Sequence, residues 1–306
     1  MDNHIFVSLS TFAEHDRSPL DLLEKCGIPF SINRTGKRIT PTGLLEAARK
    51  STGIVAGVEE YSADTLSQLQ SLRCISRCGV GLDSIDLAYA SKNNIAIRNT
   101  PDVVIEPVTD LTIAMIYDAL RKLTQHTTML KAGRWEKLTG RNLSGQVVGI
   151  FGTGRIGRAV AQTLRKLGAS VIAADPNADL TWATENSVRI VSSDDLIKQS
   201  NIISLHISGH SGTILGPPEF SLMKPHAIIV NTSRGSYVDE DALSTFLEAN
   251  SFATACLDVF SKEPYTGKLQ SLPNVIMTPH VATLTEESRT KMEFQAVENL
   301  ISALVT

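Results

Sequence analysis

The sequence predicts an α/β protein made of two doubly wound parallel-sheet domains. Three observations predict it. A chain of 306 residues is too long for one compact core. Strand-like and helix-like patterns alternate through the first 98 residues and again after Asp175. Between them, Val147 to Pro176 reads as a strand, a glycine turn, a helix and a second strand. Alternation of this kind implies sheets covered on both faces.

The amino-terminal part opens with His4 to Leu9, which suits a strand. Ser18 and Pro19 make a cap and first-turn pair for a helix over Leu20 to Cys26, which Gly27 ends. Ile28 to Ile32 reads as a strand. Thr40 and Pro41 repeat the cap device before a helix to Lys50, and Gly53 to Ala56 is a buried strand. Ser62 caps the next helix, Arg73 to Ser76 is strand-like, and Ile95 to Ile97 closes this part. Pro101 to Leu120 is a mostly apolar helical stretch, so burial against a neighbouring domain or subunit is expected. After Asp175 come strands at Val188 to Val191, Asn201 to His206, Ala227 to Asn231, Ala253 to Leu257 and Val275 to Met277. Helices lie between them, one capped near Ser193, one ending near Met223 and one over Asp239 to Glu248. Leu284 to Leu304 forms a last amphipathic helix.

The stretch from 147 to 176 carries the first functional reading. The apolar run Val147 to Phe151 ends in Gly152, Thr153, Gly154, Arg155, Ile156 and Gly157. Gly152 permits a tight turn, Gly154 lets the backbone approach a pyrophosphate, and Gly157 lets helix and strand pack closely. The N–H groups at the start of the helix, around Arg155 and Ile156, face the phosphates with the positive end of the dipole. Asp175, 18 residues past Gly157, is placed to accept hydrogen bonds from a ribose hydroxyl. A carboxylate there repels a 2′-phosphate, and no arginine comes after it to offset this, so NAD is expected over NADP.

Composition narrows the rest. The net charge of −3 gives no electrostatic reason to expect nucleic acid or an anionic membrane as partner. Asp2 without a basic leader, and the lack of a bilayer-length apolar run, make a cytoplasmic protein the expectation. Cys26, Cys74, Cys78 and Cys256 show no CxxC spacing and read as reduced, mostly buried thiols; no metal site is expected.

Four further stretches could carry chemistry. Arg77, Cys78, Gly79, Val80, Gly81, Leu82 and Asp83 form a glycine loop at a strand end, either an ordinary turn or a backbone cradle for a carboxylate. Asn231, Thr232, Ser233, Arg234 and Gly235 place a guanidinium at another strand end, either on the surface or gripping a planar carboxylate. The third is Asp258 to Pro264, with Glu263, and the fourth is Thr278, Pro279 and His280. A histidine can protonate a ketone oxygen as hydride reaches carbon, and a buried carboxylate beside it would favour its charged form; a lone histidine is more often structural.

Together these stretches resemble the D-isomer-specific 2-hydroxyacid dehydrogenases, in the phosphoglycerate dehydrogenase-like branch, over nearly the whole chain. The similarity rests on NTPDV at 99–103, LSGQVVGIFGTGRIG at 143–157, MKPHAIIVNTSRGSYVDEDAL at 223–243, LDVFSKEP at 257–264 and TPH at 278–280. The resemblance implies an NAD-dependent oxidoreductase interconverting a small 2-keto acid and the D-2-hydroxy acid. It implies that Arg234 orients and polarises the keto acid, that His280 is the acid and base, and that Glu263 pairs with it. It also implies that Arg77, Gly79, Val80 and Gly81 serve the substrate, the last three holding its carboxylate through the backbone. Gly152, Gly154, Arg155, Ile156, Asp175, His206, Thr232 and Asp258 would serve the cofactor, Asp258 through the nicotinamide amide. The implied fold is a Rossmann NAD domain over 99–280, inserted into a flavodoxin-like substrate domain formed by 1–98 and 281–306. Homodimers are the family's usual state.

Departures from the family pattern are local. Ser208 stands where a proline is usual, and Ala282 and Thr283 replace a small-residue pair with glycine. Ala56, Gly57, Val58, Glu59 and Glu60 form an acidic loop where phosphoglycerate enzymes often carry a phosphate-reading arginine, which argues against phosphoglycerate as substrate. With the end at Thr306, no ACT regulatory domain is expected. The alternative function is an NAD(H)-sensing binding protein of the C-terminal-binding-protein type. A formate dehydrogenase relative is weakened by Glu263, where that branch has glutamine.

Overall fold

The computed structural model describes residues 3–209 and 212–305. The chain divides into two compact units, Met1–Val104 with Thr283–Thr306, and Ile105–Ala282.

The first unit runs β1 (Ile5–Val7), α1 (Ser18–Lys25), β2 (Phe30–Ile32), α2 (Pro41–Ala48), β3 (Gly53–Ala56), α3 (Ala63–Gln68), β4 (Cys74–Arg77), α4 (Leu87–Lys92) and β5 (Ala96–Arg98). Its five strands are parallel in the order β2-β1-β3-β4-β5, the flavodoxin-like arrangement. The expected Thr40 and Ser62 caps are present, their hydroxyls accepting from Gly43 N and Thr65 N. Ser18 is not a cap: it is already helical, and the Asp16 carboxylate accepts its N–H at 2.7 Å. The short helix α4 has too few residues to show an apolar period, and only its cap, Asp86 accepting from Tyr89 N, marks it in the sequence.

The second unit runs α5 (Ile105–Arg121), α6 (Leu123–Lys131), β6 (Val147–Phe151), α7 (Arg155–Lys166), β7 (Ser170–Ala174), α8 (Leu180–Glu185), β8 (Arg189–Ile190), α9 (Ser193–Gln199), β9 (Ile202–Leu205), α10 (Pro217–Leu222), β10 (Ile228–Asn231), α11 (Glu240–Ala249), β11 (Thr254–Leu257) and β12 (Val275–Met277). The sheet order is β12-β11-β10-β9-β6-β7-β8, all parallel, so chain order reverses between β6 and β9 as in a Rossmann sheet. Side-chain alternation sends Ile203, Leu205 and Ile229 into one core and Ile202, Ile228 and Val230 into the other. Both faces are therefore covered, as the apolar strands require. The long helix α5 begins at Ile105, after a turn over 101–104, and Met115, Ile116 and Leu120 join Val160 and Leu164 of α7 in the second core. Ser192, one residue before the expected Ser193, caps α9 by accepting from Asp195 N.

The chain then returns to the first unit as α12 (Glu286–Val305). Leu300 and Leu304 press on Gly53 of β3 so closely that a Cβ there would stand 2.8 Å from Leu304. The last helix is thus part of the first unit's core, although more than two hundred residues separate it in sequence.

Candidate active site

The glycine turn after β6 is built as its sequence requires. Gly152 has φ +89°, a conformation costly for other residues, and a Cβ on it would stand 2.5 Å from the His206 carbonyl oxygen. A Cβ on Gly157 would overlap the Gly152 carbonyl. Gly154 differs: its backbone is extended and a Cβ there would meet nothing within 4 Å. The protein's own packing does not require glycine at 154, so the open space before α7 suits a group brought from outside, and a pyrophosphate beside the helix N-terminus fits it. Arg155 and Ile156 supply the first N–H groups of that helix.

Asp175 comes directly after β7 and faces the same turn. Its Oδ2 accepts from Thr153 N at 2.6 Å and Thr153 Oγ1 at 2.8 Å, and its Oδ1 accepts from Asn177 N at 2.8 Å. Burial by itself would raise this carboxyl's pKa, but the Thr153 and Asn177 hydrogen bonds and nearby Arg158 outweigh it and hold it below the usual range. Oδ1 keeps a lone pair for a ribose hydroxyl. Arg158 braces the arrangement, donating to the Thr153 carbonyl at 2.9 Å and stacking on Trp182. Sequence patterns do not reveal Thr153 or Arg158 as braces, although both lie in or beside the glycine fingerprint.

His206, at the end of β9, is buried, and burial drives its imidazole down to about 4. Its Nε2 lies 2.8 Å from Ser204 Oγ, so the neutral ring is satisfied within the protein. Thr232 comes after β10, its hydroxyl 3.0 Å from that of Thr112 on α5. Arg234 sits two residues on, its guanidinium bonded to the Ser233 carbonyl at 2.8 Å and its own carbonyl accepting from Asn231 Nδ2 at 2.8 Å. Gly235 is pressed against the Phe260 backbone, leaving no room for a Cβ. That contact ties the loop carrying Arg234 to the segment carrying Glu263.

The structure brings His280 and Glu263 together, Nδ1 to Oε2 at 2.9 Å, while Glu263 Oε1 accepts from Phe260 N. Both side chains keep solvent contact, 53% and 38% exposed, so Glu263 is a half-open carboxylate and their attraction is partly screened. His280 adopts φ +54°, a left-handed conformation unusual for a residue with a side chain. Its N–H donates to the Asp258 carbonyl at 2.9 Å. Asp258 is fully buried, and its carboxylate accepts from Thr278 Oγ1 at 2.5 Å, Val281 N at 2.8 Å and Ala282 N at 2.9 Å. Among the described residues the Asp258 carboxylate clamps the chain on both sides of His280. Three donors from its own chain occupy most of what one carboxylate can accept.

In the first unit the glycine loop after β4 is anchored by the segment that leaves β5. Gly79, at φ +133°, donates its N–H to Thr100 Oγ1 at 2.9 Å, and its carbonyl accepts from Thr100 N at 3.0 Å. Asn99 Nδ2 donates to the Val80 carbonyl at 3.0 Å. The Gly79 N–H, expected to face a carboxylate, is taken by Thr100 in this structure. The N–H groups of Val80 and Gly81 donate to nothing among the described residues and stay available. The Arg77 guanidinium folds back onto the Cys78 carbonyl and fills the place of a Cβ at 79. Burial pushes the Cys78 thiol up to about 12, which fits packing and not nucleophilic chemistry. In the acidic loop, Glu59 is buried and accepts from Ser8 Oγ at 2.9 Å and Gly57 N at 2.8 Å, while Arg38 reaches the loop from outside it to bond the Val58 carbonyl. Among the described residues there is no cluster of side chains fit to hold a metal ion, and no helix is long and apolar enough to cross a membrane.

Residues 113–282 match the family model for the D-isomer specific 2-hydroxyacid dehydrogenase NAD binding domain. A glyoxylate reductase from Thermococcus litoralis is 34% identical, the match covering 85% of this chain and 82% of the relative. A hydroxypyruvate reductase from Thermotoga maritima is 35% identical, covering 82% and 84%. A D-lactate dehydrogenase from Aquifex aeolicus, solved with NAD and lactic acid, superposes with a TM-score of 0.85 at 27% identity, over 99% of this chain and 95% of that one. The chain, with its Rossmann turn and its histidine and carboxylate pair, belongs to the D-isomer specific 2-hydroxyacid dehydrogenase family and is an NAD-dependent oxidoreductase of D-2-hydroxy acids.

Proposed function

We propose that this enzyme reduces a small unphosphorylated 2-keto acid, with glyoxylate and hydroxypyruvate as first candidates, to the D-2-hydroxy acid. The observation that carries the reading is the His280 and Glu263 pair at 2.9 Å, on a segment clamped by buried Asp258. Bound NADH supplies the hydride. His280 gives its Nε2 proton to the carbonyl oxygen as that oxygen gains charge, with Nδ1–H held by Glu263 so that the ring keeps one tautomer. Arg234 pairs with the keto acid through its planar guanidinium and stabilises the growing negative charge. The spare N–H groups of Val80 and Gly81 are assigned to the carboxylate, with Gly79 and Arg77 shaping the loop. Gly152, Gly154, Arg155, Ile156 and Asp175 are assigned to NAD, and His206 and Thr232 to the walls of its site. Buried Glu59 supports an unphosphorylated substrate, because its charge would repel a phosphate near that loop.

A homodimer is part of the reading. Leu123 and Leu130 on α6 and Trp135 just beyond it are exposed, an apolar strip suited to a second copy, and light scattering should return the mass of two chains. The reaction itself is tested by NADH oxidation with glyoxylate and hydroxypyruvate. His280→Ala should lower kcat by roughly 10²- to 10⁴-fold and leave the Kd for NADH nearly intact. Unchanged turnover would remove His280 from the mechanism.

A further inference from the structure

The two edges of the seven-stranded sheet differ in charge. Its strands are parallel, so the glycine turn and Asp175 lie at their carboxyl ends, and the residues just before the strands line the opposite edge. There a cavity of about 360 Å³ opens among Lys122, Arg141, His226, Asn201, Thr139 and Phe252. Three cationic or ionisable bases share it, and no aspartate or glutamate is among its lining residues. In a protein with a net charge of −3 such a concentration of bases is a local departure from the overall balance.

Each base is placed by structure that the hydride chemistry does not use. Lys122 occupies the left-handed kink between α5 and α6, at φ +55°. Arg141 is held against the end of α5: its N–H donates to the Leu120 carbonyl at 2.8 Å, and a Cβ on neighbouring Gly140 would stand 2.7 Å from the same oxygen. Its guanidinium donates to the His226 carbonyl at 3.1 Å, which joins the loop before β10 to the loop before β6. His226 Nε2 faces Asn201 Nδ2 at 3.4 Å, and Asn201 Oδ1 accepts from Val147 N, so the imidazole accepts at Nε2 and keeps Nδ1–H as a donor. None of Lys122, Arg141 and nearby Lys224 makes an ion pair among the described residues. Burial lowers the pKa of all four bases, with Arg141 adding to the shift at Lys122 and His226. Partly desolvated positive groups left without a counter-charge are relieved by an anion.

We propose that this cavity binds a small multivalent oxyanion of the phosphate or polycarboxylate class, at a site separate from the one that handles the keto acid. Its volume falls within the range of small-molecule pockets. Guanidinium, ammonium, imidazole N–H and the Thr139 hydroxyl match the donors such an anion needs, and exposed Phe252 forms one apolar wall. The proposal stands whether or not the keto-acid reading is right.

The test is titration of inorganic phosphate into the full-length protein saturated with NADH, monitored by NMR of its seven histidines. The His226 resonance is identified by its loss in His226→Gln, and His280 serves as the internal reporter of anions at the catalytic histidine. The expected result is a saturable shift of His226 with His280 unmoved, and an affinity roughly tenfold weaker in both Lys122→Gln and Arg141→Gln. Lys122→Gln lies in a surface connection and keeps the test valid should the Arg141 variant fail to fold. A His226 resonance indifferent to phosphate would overturn the site, whether the cavity simply rejects anions or a second copy of the chain fills it. Equal affinity in wild type and Lys122→Gln would overturn it too.

Discussion

Two glycine loops leave the ends of parallel strands in this chain, 79–81 after β4 and 152–154 after β6, and they are built for different tasks. The first is closed on itself: Thr100 takes both the N–H and the carbonyl of Gly79, and Asn99 takes the carbonyl of Val80. Two N–H groups remain, and the next helix begins only at Leu87. The second opens directly into the twelve-residue helix α7, whose first turn and dipole face the space before Gly154. A cradle of two amides suits one carboxylate, whereas a helix N-terminus suits a pyrophosphate. Glycine spacing alone does not separate the two; the presence or absence of a helix immediately after the glycines does.

The comparison breaks most sharply at the second loop. Gly157→Val drives a branched side chain into the Gly152 carbonyl, and urea denaturation should show a loss of about 4 kcal/mol or more. Gly154→Ala meets nothing, so its stability should change by less than about 1 kcal/mol while NADH affinity falls by roughly tenfold. If Gly154→Ala binds NADH as the wild type does, the open space is not where the pyrophosphate sits.

Beneath the same turn lies His206, whose carbonyl forces glycine at 152. Its native pKa of about 4 lies below the ordinary histidine value of 6.5, so the unfolded chain binds a proton that the native one refuses between those pH values. The stabilisation from keeping the ring neutral is fully present above about pH 6.5 and is lost as pH falls toward 4, up to roughly 3 kcal/mol. Denaturation midpoints measured from pH 7 to pH 4.5 should fall less steeply in His206→Gln than in wild type. Parallel slopes would mean that another group governs acid sensitivity.

How much of this is legible in sequence depends on the distance over which each part is built. The turn at 152–157 is readable because strand, glycines, helix and Asp175 lie within about 30 residues and each has a local signal. The His280 and Glu263 pair, 17 residues apart, is reached through the family resemblance, since a lone histidine carries no period or cap. The clamp on Asp258 is not legible: its donors lie 20 to 24 residues downstream and meet it only because β11 and β12 are neighbours. Thr100 escapes for the same reason, being close to Gly79 only once β4 and β5 pair. The basic cavity needs five separate segments and leaves no sequence trace. Short α4 and α8 are missed because a turn and a half of helix shows no apolar face.

The first loop is sharpened by Thr100→Val. The substitution keeps the shape of the side chain but strips the acceptor from the buried Gly79 N–H, a loss of about 1 to 2 kcal/mol. If Val80 and Gly81 serve the keto acid, KM should rise with the Kd for NADH unchanged, because the second loop is untouched. A change in NADH affinity of the same size would show that the division of labour between the loops is wrong.

The smallest expected effect tests the charge at the edge of the second loop. Asp175 does two things at once: it fixes Thr153 through Oδ2, and it presents a negative charge to the ribose. Asp175→Ala would confound the two, whereas Asp175→Asn keeps an acceptor oxygen and removes the charge. NADH affinity should then fall by less than about fivefold, near 1 kcal/mol, while NADPH binding improves because nothing repels its 2′-phosphate. Since hydrogen bonds from Thr153 and Asn177 hold this carboxyl below its ordinary pKa, the charge is present throughout the neutral range, and the NADH preference of the wild type should not vary between about pH 6 and pH 8. An Asp175→Asn protein that still prefers NADH to the same degree would move cofactor selection away from the carboxylate and onto the shape of the turn itself.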